Sequence, residues 1–383
     1  VAISESGTRV GGWQTHVRAL RMRTTGLGGD SLIGWEEREL TVGPTRVAPV
    51  SWLGAVEPDL KPALEYLHDN IDEFTTRSGG ADLLAATERK TPGRLREQEH
   101  DILKALRERP HSAAELAEVL GRAHWTLLPL KALEEEALIQ RSGFTPTDLL
   151  HVTGRFQRWD TAAADTLCQF LERLSGRDRP ELIECLFRTI HRRLALELVK
   201  KQMDGQIDHE GMEECPVCRH LTDRALTGSG DGMDVSIRLT HPVVGIGAPA
   251  GQFLPAAADL LGAECIIPPH SEVANAIGAV TSKVVVSRSA VIQPDQEGNY
   301  AVEGLPGAPR FDSLRKAHEH AVNELEQIVR STARQAGTTE TRVSSQTRDR
   351  ISTASDGTEI FIGRVIHASL SGLPDGAPPP EQL

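Results

Sequence analysis

From Leu239 to Ala258 the chain carries no Asp, Glu, Lys or Arg. A run this long could cross a bilayer as one helix. Pro242, Pro249 and Pro255, with Gly245, Gly247 and Gly251, fall inside it. Proline removes a backbone donor and clashes with the preceding turn, so one continuous helix is excluded. What remains is a β-branched stretch, VVGIG, a glycine turn, and a helix from about Pro249 to Leu261. DVSIRLT upstream and ECIIP downstream read as strands, and a further helix begins at Ser271. That order predicts an α/β chain with buried parallel strands.

Composition narrows the class. The 383 residues suffice for two or three domains. Aromatic content is 4%, so the cores must be mainly aliphatic. A net charge of −12 argues against broad nucleic-acid or anionic-membrane binding, which needs a basic face. The five cysteines are odd in number and lack the spacing of a disulfide framework, which predicts a reducing, cytoplasmic setting. No signal peptide or transmembrane helix is visible. VAISESGTRV at the start reads as the second strand of a hairpin, the expectation for a fragment of a longer protein.

Residues 1–93 mix short strands with glycine turns and a helix around KPALEYLHDNIDEF. Residues 94–142 differ. Leu95, Ile102, Leu103 and Leu106 form a helical stripe ended by Pro110. Ser112 opens SAAELAEVL with Glu115 three residues on, a capping-box spacing, and Gly121 closes it. Trp125 to Glu136 reads as a third helix and ALIQRSG as a strand and turn, so the segment predicts a winged-helix-like insertion. Its charges, eight Lys/Arg against nine Asp/Glu from Arg94 to Arg141, do not suit a phosphate-tracking surface. An accessory or protein-contact module fits better. Residues 143–290 continue with helices over 161–203 and the α/β alternation. Residues 291–370 predict strand, a long helix from Ser313 to about Ala336, and strand. Residues 371–383, rich in Pro and Gly, predict a disordered tail.

Several segments carry residues suited to phosphate. In TTGLGGDS, Thr24 to Ser31, glycines let successive backbone N–H groups face one anion. Asp30 can hold a phosphate-bound Mg²⁺, and Ser31 can add a hydrogen bond. The same stretch also suits a tight turn. The turn Gly245-x-Gly247-Ala248-Pro249 leads into a helix N-terminus with free N–H groups. It departs from the dinucleotide pattern GxGxxG, because Ala250 holds the third glycine position. A plain strand–helix turn fits it too. HSEVANAIGAV, residues 270–280, offers a small-residue face for helix packing. In TPTDLLHVTG, residues 145–154, Thr147 or Asp148 can cap the helix, or Asp148 can face a ligand. CPVC, Cys215 to Cys218, supplies two of the four ligands of a structural zinc site, with His209 and His220 nearby. The spacing fits no standard finger, and an ordinary reduced loop fits better. His16, His241 and His270 lie near these segments and read as structural.

Taken together, RVGGW–x(9)–RTTGLGGDS, TPTDLLHVTGRF–x–RWD and VVGIGAPAGQFLP–x(14)–HSEVANAIGAV resemble the hydantoinase A/5-oxoprolinase family. The resemblance covers most of residues 1–290. It implies an actin-like ATPase (ribonuclease H-like) fold, ATP and Mg²⁺ as cofactors, and ATP-dependent phosphorylation of a small cyclic amide or related carbonyl compound before hydrolysis. It implies that Gly26, Gly28, Gly29, Asp30 and Ser31 lie near the phosphates, with Asp30 a catalytic residue and the metal ligand. It places Gly245, Gly247 and Ala248 at the adenosine side, Asn275 and Gly278 on the helix behind it, and Thr147 and the catalytic Asp148 at the cleft. The family's phosphate loop, Asp-x-Gly-Gly-Thr, would lie upstream of Val1. Asp30 stands where active hydantoinases more often carry a further glycine. Other expectations are a nucleotide-binding regulator with a winged helix, and a subunit of a carboxylase-like hetero-oligomer.

With that loop outside the chain, residues 1–383 by themselves are expected to bind nucleotide weakly and turn it over little. Robust ATP-dependent hydrolysis by this chain alone would contradict the expectation.

Overall fold

The computed structural model describes residues 3–4, 9–10, 13–14, 19–20, 22–76, 78–91, 94–204, 207, 211–228, 232–353 and 357–375. The architecture is mixed α/β, as the sequence predicts. The chain forms two compact units, Val1–Glu272 and Val273–Leu383.

The first unit opens with two-residue strands. Here β1 (Ile3–Ser4) pairs antiparallel with β4 (Ala19–Leu20), and β2 (Arg9–Val10) with β3 (Trp13–Gln14). The single strand expected at the start is therefore two, in different pairs. The hairpin of β5 (Ser31–Glu36) and β6 (Glu39–Arg46) follows, then β7 (Ala48–Pro49), α1 (Val50–Val56) and α2 (Lys61–Asp69).

The helical insertion has its own core. It comprises β8 (Leu83–Ala86), α3 (Glu97–Glu108), β9 (His111–Ser112), α4 (Ala113–Val119), α5 (Leu130–Glu135) and β10 (Ile139–Gly143). Leu84, Ile102, Leu106, Leu116, Leu133 and Ile139 pack together there. Leu84 belongs to this core although it precedes residue 94, because β8 pairs antiparallel with both β9 and β10. Half of the expected box forms: Ser112 Oγ accepts the Glu115 N–H at 3.1 Å, while the Glu115 carboxylate turns to Arg109 and His111. The single helix expected over 125–136 does not form. A 3₁₀ turn, Trp125–Leu127, and the six-residue α5 replace it, with Pro129 breaking the run between them.

Pairing of β10 parallel to β7 joins the insertion to the rest in a four-stranded sheet of order β7-β10-β8-β9. After it come α6 (Pro146–Val152), α7 (Thr161–Ser175) and α8 (Arg179–Met203). Asp160 and Asp178 cap α7 and α8 through side-chain oxygens. Leu53, Leu64, Leu149, Leu167, Phe170 and Leu186 build the main core from α1, α2, α6, α7 and α8.

Next come α9 (Pro216–Thr227), β11 (Val243–Val244), α10 (Ala250–Asp259) and β12 (Cys265–Ile266). The parallel pair β11–β12 with α10 between is the strand–turn–helix–strand unit read from the sequence. Two expectations fail here. DVSIRLT forms no strand; instead Ile237 and Leu239 pack on a small core of Ala195, Val199, Leu226, Ala257 and Leu261. The parallel strands are also not buried, since Val244 and Ile266 are exposed.

The second unit contains α11 (Ala274–Thr281), β13 (Val284–Pro294), β14 (Tyr300–Glu303), β15 (Arg310–Phe311), α12 (Leu314–Gln335), β16 (Ser344–Thr353) and β17 (Glu359–Gly372). An antiparallel sheet of order β15-β14-β13-β17-β16 results. One face of α12, through Ala317, Ala321, Leu325 and Val329, packs on Ala290, Ile292, Ile366 and Ala368. The division expected near residue 290 falls inside β13, where backbone pairing is continuous. Part of the tail is tied down: the Thr338 hydroxyl donates to Leu373 O at 2.7 Å, and Asp375 N–H to Gly337 O at 2.7 Å. Residues 376–383 lie outside the described residues.

The insertion carries a testable charge cluster. Glu115, nearly buried, meets Arg109 and lies 3.2 Å from His111 Nδ1. Burial alone would raise its carboxyl, but the His111 and Arg109 contacts outweigh this and hold it below the usual range. A depressed folded-state value gives stability that is present at neutral pH and lost as pH falls through that value. Glu115→Gln should cost about 1–3 kcal/mol at neutral pH and flatten acid sensitivity in pH-dependent melts. Equal acid sensitivity in the variant would rule the cluster out.

Candidate functional site

The glycine loop of residues 26–31 leads into β5. Ser31 is fully buried. Its Oγ accepts the Gly28 N–H at 2.8 Å and donates to Gly26 O at 3.3 Å. The hydroxyl therefore closes the loop on itself, which corrects the expectation that it reaches a ligand. Gly26 is required by proximity: a β-carbon there would stand 2.5 Å from Pro44 O. The N–H groups of Gly29 and Asp30 have no acceptor among the described residues.

Gly29 is where the separate segments meet. The Thr147 hydroxyl donates to Gly29 O at 2.7 Å, and the Thr147 N–H reaches the same oxygen at 3.0 Å. A β-carbon on Gly29 would stand 2.8 Å from Thr147 Oγ1 and 3.7 Å from both Cβ and Cγ of Pro249. TTGLGGDS, TPTD and the Gly245–Pro249 turn, far apart in sequence, thus converge on one glycine.

Asp30 sits at the exposed side of the loop. Arg46 Nε donates to its Oδ2 at 2.8 Å. Among the described residues no cluster of three or more His, Cys, Asp or Glu could hold a metal ion. A phosphate-bound Mg²⁺ needs only one or two protein carboxylates. Asp30 fits that need through Oδ1, which Arg46 leaves unengaged.

Asp148 has a different place from the one expected. It is fully buried. Its carboxylate accepts Val50 N–H at 3.2 Å, Ser51 N–H at 2.9 Å, Thr145 N–H at 2.9 Å and the Thr145 hydroxyl at 2.7 Å. Burial pushes its carboxyl above the usual range, and the Ser51 and Thr145 hydrogen bonds oppose this without reversing it. Every lone-pair direction is turned to the protein, so Asp148 faces no ligand in this structure. The helix cap is also neither Thr147 nor Asp148. Thr145 is the N-cap, and Asp148 at N3 completes a capping box.

The second glycine turn is built for backbone shape. Gly247 has φ +111°, a region only glycine adopts readily, and its N–H donates to Ser271 O at 2.7 Å. A β-carbon on Gly245 would stand 2.5 Å from Ile267 Cδ1, so that position is a packing contact. Ala248 is exposed beside the start of α10. Asn275 and Gly278 lie exposed on α11 in the second unit, and a β-carbon on Gly278 would meet open space.

The sequence reading missed a cleft of about 750 Å³ adjoining the loop, lined by Leu32, Gly43, Pro44, Asp82, Arg141 and Arg193 among others. That volume suits a small ligand. Arg141 contacts Asp82 and Glu134 at 2.6 Å each. Burial holds Asp82 above the usual carboxylate range against the pull of Arg141. Its lining comes from distant segments, and no local spacing marks it.

Comparison with known proteins found no matching family model, curated protein or solved structure.

Removing the Asp148 carboxylate would leave three buried backbone N–H groups without their acceptor. Asp148→Ala should therefore lower unfolding stability by at least about 3 kcal/mol, read as a shift in denaturant midpoint. A variant as stable as the parent would reopen a ligand-facing role.

Proposed function

We propose that the first unit is the nucleotide-binding part of an actin-like ATPase of the hydantoinase A/5-oxoprolinase type, acting on a small cyclic amide or related carbonyl compound through a phosphorylated intermediate. The observation that carries this reading is the convergence of the three segments at Gly29. A βα turn, a capped helix and a glycine loop are each commonplace, but a shared point of contact is what a phosphate site needs.

The geometry supports the following roles. The Gly29 and Asp30 N–H groups are the loop's available donors for a phosphate oxygen. Thr147 fixes the Gly29 carbonyl, so it sets which way the Gly29–Asp30 peptide faces. Asp30 Oδ1 is the candidate contact for Mg²⁺, and Arg46 steadies the carboxylate through Oδ2. The Gly247 turn sets the start of α10 beside this loop. Asp148 is assigned a positioning role rather than a catalytic one. ATP with Mg²⁺ would supply a transferable phosphoryl group whose charge fixed N–H donors stabilise. The cleft beside Asp82 and Arg141 is the candidate place for the carbonyl substrate.

Calorimetric titration of Mg²⁺–ATP into the chain should show weak, saturable binding. Asp30→Ala and Gly247→Val should each weaken it about tenfold, near 1.4 kcal/mol, with the melting transition retained. Absence of binding by the parent chain, or variants that bind as well as it does, would overturn the reading.

A further inference from the structure

CPVC plays no part in the reading above. Cys215 is the N-cap residue of α9, and Pro216 occupies the first turn of that 12-residue helix. The Cys215 Sγ accepts the Cys218 N–H at 3.4 Å. The Cys215 sulfur is therefore already turned over the first helical turn, toward the residue that carries the second thiol. Both side chains are only partly covered. The other end of α9 is anchored, with Leu226 packed against Ala195 and Val199, so the pair sits on a fixed support.

We propose that Cys215 and Cys218 form a dithiol site that exchanges electrons with disulfide-containing substrates, closing to an internal Cys215–Cys218 disulfide. A thiolate at a helix N-terminus is stabilised by free N–H groups. In line with this, the hydrogen bonds from Cys218 hold the Cys215 thiol below its ordinary range, while Cys218 is held above it. That asymmetry assigns attack to Cys215 and resolution to Cys218. Two of the other thiols, Cys168 and Cys265, contrast with this pair. Cys168 is buried, and burial pushes it up to about 12. Burial also raises Cys265. Val217 and Leu221 are 66% and 40% exposed and flank the pair, an apolar rim on which the chain around a substrate disulfide can rest. Among the described residues no third ligand joins the pair, and His209 lies outside them.

The Cys215 thiolate attacks one sulfur of R–S–S–R, forming a Cys215–S–S–R mixed disulfide and releasing one RS⁻. Cys218 gives its proton to solvent and attacks the Cys215 sulfur. The Cys215–Cys218 bond forms and the second RS⁻ leaves. Two electrons pass from the pair to the substrate, and the released thiolates take up protons according to their own acidity.

The test uses the full chain in buffers of rising oxidised-to-reduced glutathione ratio, with free thiols alkylated and mapped by mass spectrometry. Cys215 and Cys218 should disappear together as one internal disulfide while Cys168 stays alkylatable after unfolding. Cys218→Ser should trap glutathione on Cys215. Cys215→Ser should lower the rate of adduct formation at Cys218 at least tenfold relative to Cys215 in the Cys218→Ser variant. Both variants alter partly exposed side chains, and circular dichroism checks that they fold. Independent adducts on both cysteines without an internal disulfide, a pair that stays reduced throughout, or stoichiometric zinc released on alkylating the pair would each overturn the proposal.

Discussion

A buried carboxylate with four donors organises the first unit. Strands β7 and β10 run parallel, and each turns directly into a helix, α1 and α6. Asp148 sits where both helices begin. It accepts the first two N–H groups of α1 and the capping groups of Thr145. Helix starts leave N–H groups unsatisfied and carry partial positive charge. One side chain answers both needs at once, and so fixes the separation of two strand–helix junctions. Thr147 is the residue before Asp148, and its hold on Gly29 depends on α6 starting where it does.

This arrangement explains how much could be read in advance. Local features were legible where one local rule decides them. Capping by Ser112, the long helices α7, α8 and α12, and the strand–turn–helix of VVGIGAPAG all follow from residue spacing. The glycine loop and TPTD were recognisable as segments. Their roles were not, because nothing local shows that Asp148 points toward Val50 and Ser51, nearly a hundred residues earlier. Ser31 was misjudged for the same reason, since a hydroxyl after three glycines can face outward or fold back. The 125–136 segment breaks on a local rule, Pro129 in mid-run. The cleft lined by Asp82 and Arg141 had no signal at all in the order of residues.

The two parts of the chain also differ in how they use strands. In the first unit strands are mostly short and serve as leads into helices, and the core is largely helical. In the second, β13 and β17 run beside each other over nine paired positions, and α12 covers one face of that sheet. The alternation of buried and exposed residues along β17 is what a sheet covered on one side requires.

The edge strand β16 has a consequence of its own. Its ten residues are all exposed, and among the described residues it pairs on one side alone, with β17. An open edge is a template on which another strand can add. Here the edge reads SSQTRDRIST, with Arg348 and Arg350 on either side of Asp349 and a register shift after Arg350. An incoming hydrophobic strand would have to align with a polar, charged row whose spacing changes midway. The sequence of this rim can thus keep the sheet at five strands in a crowded solution.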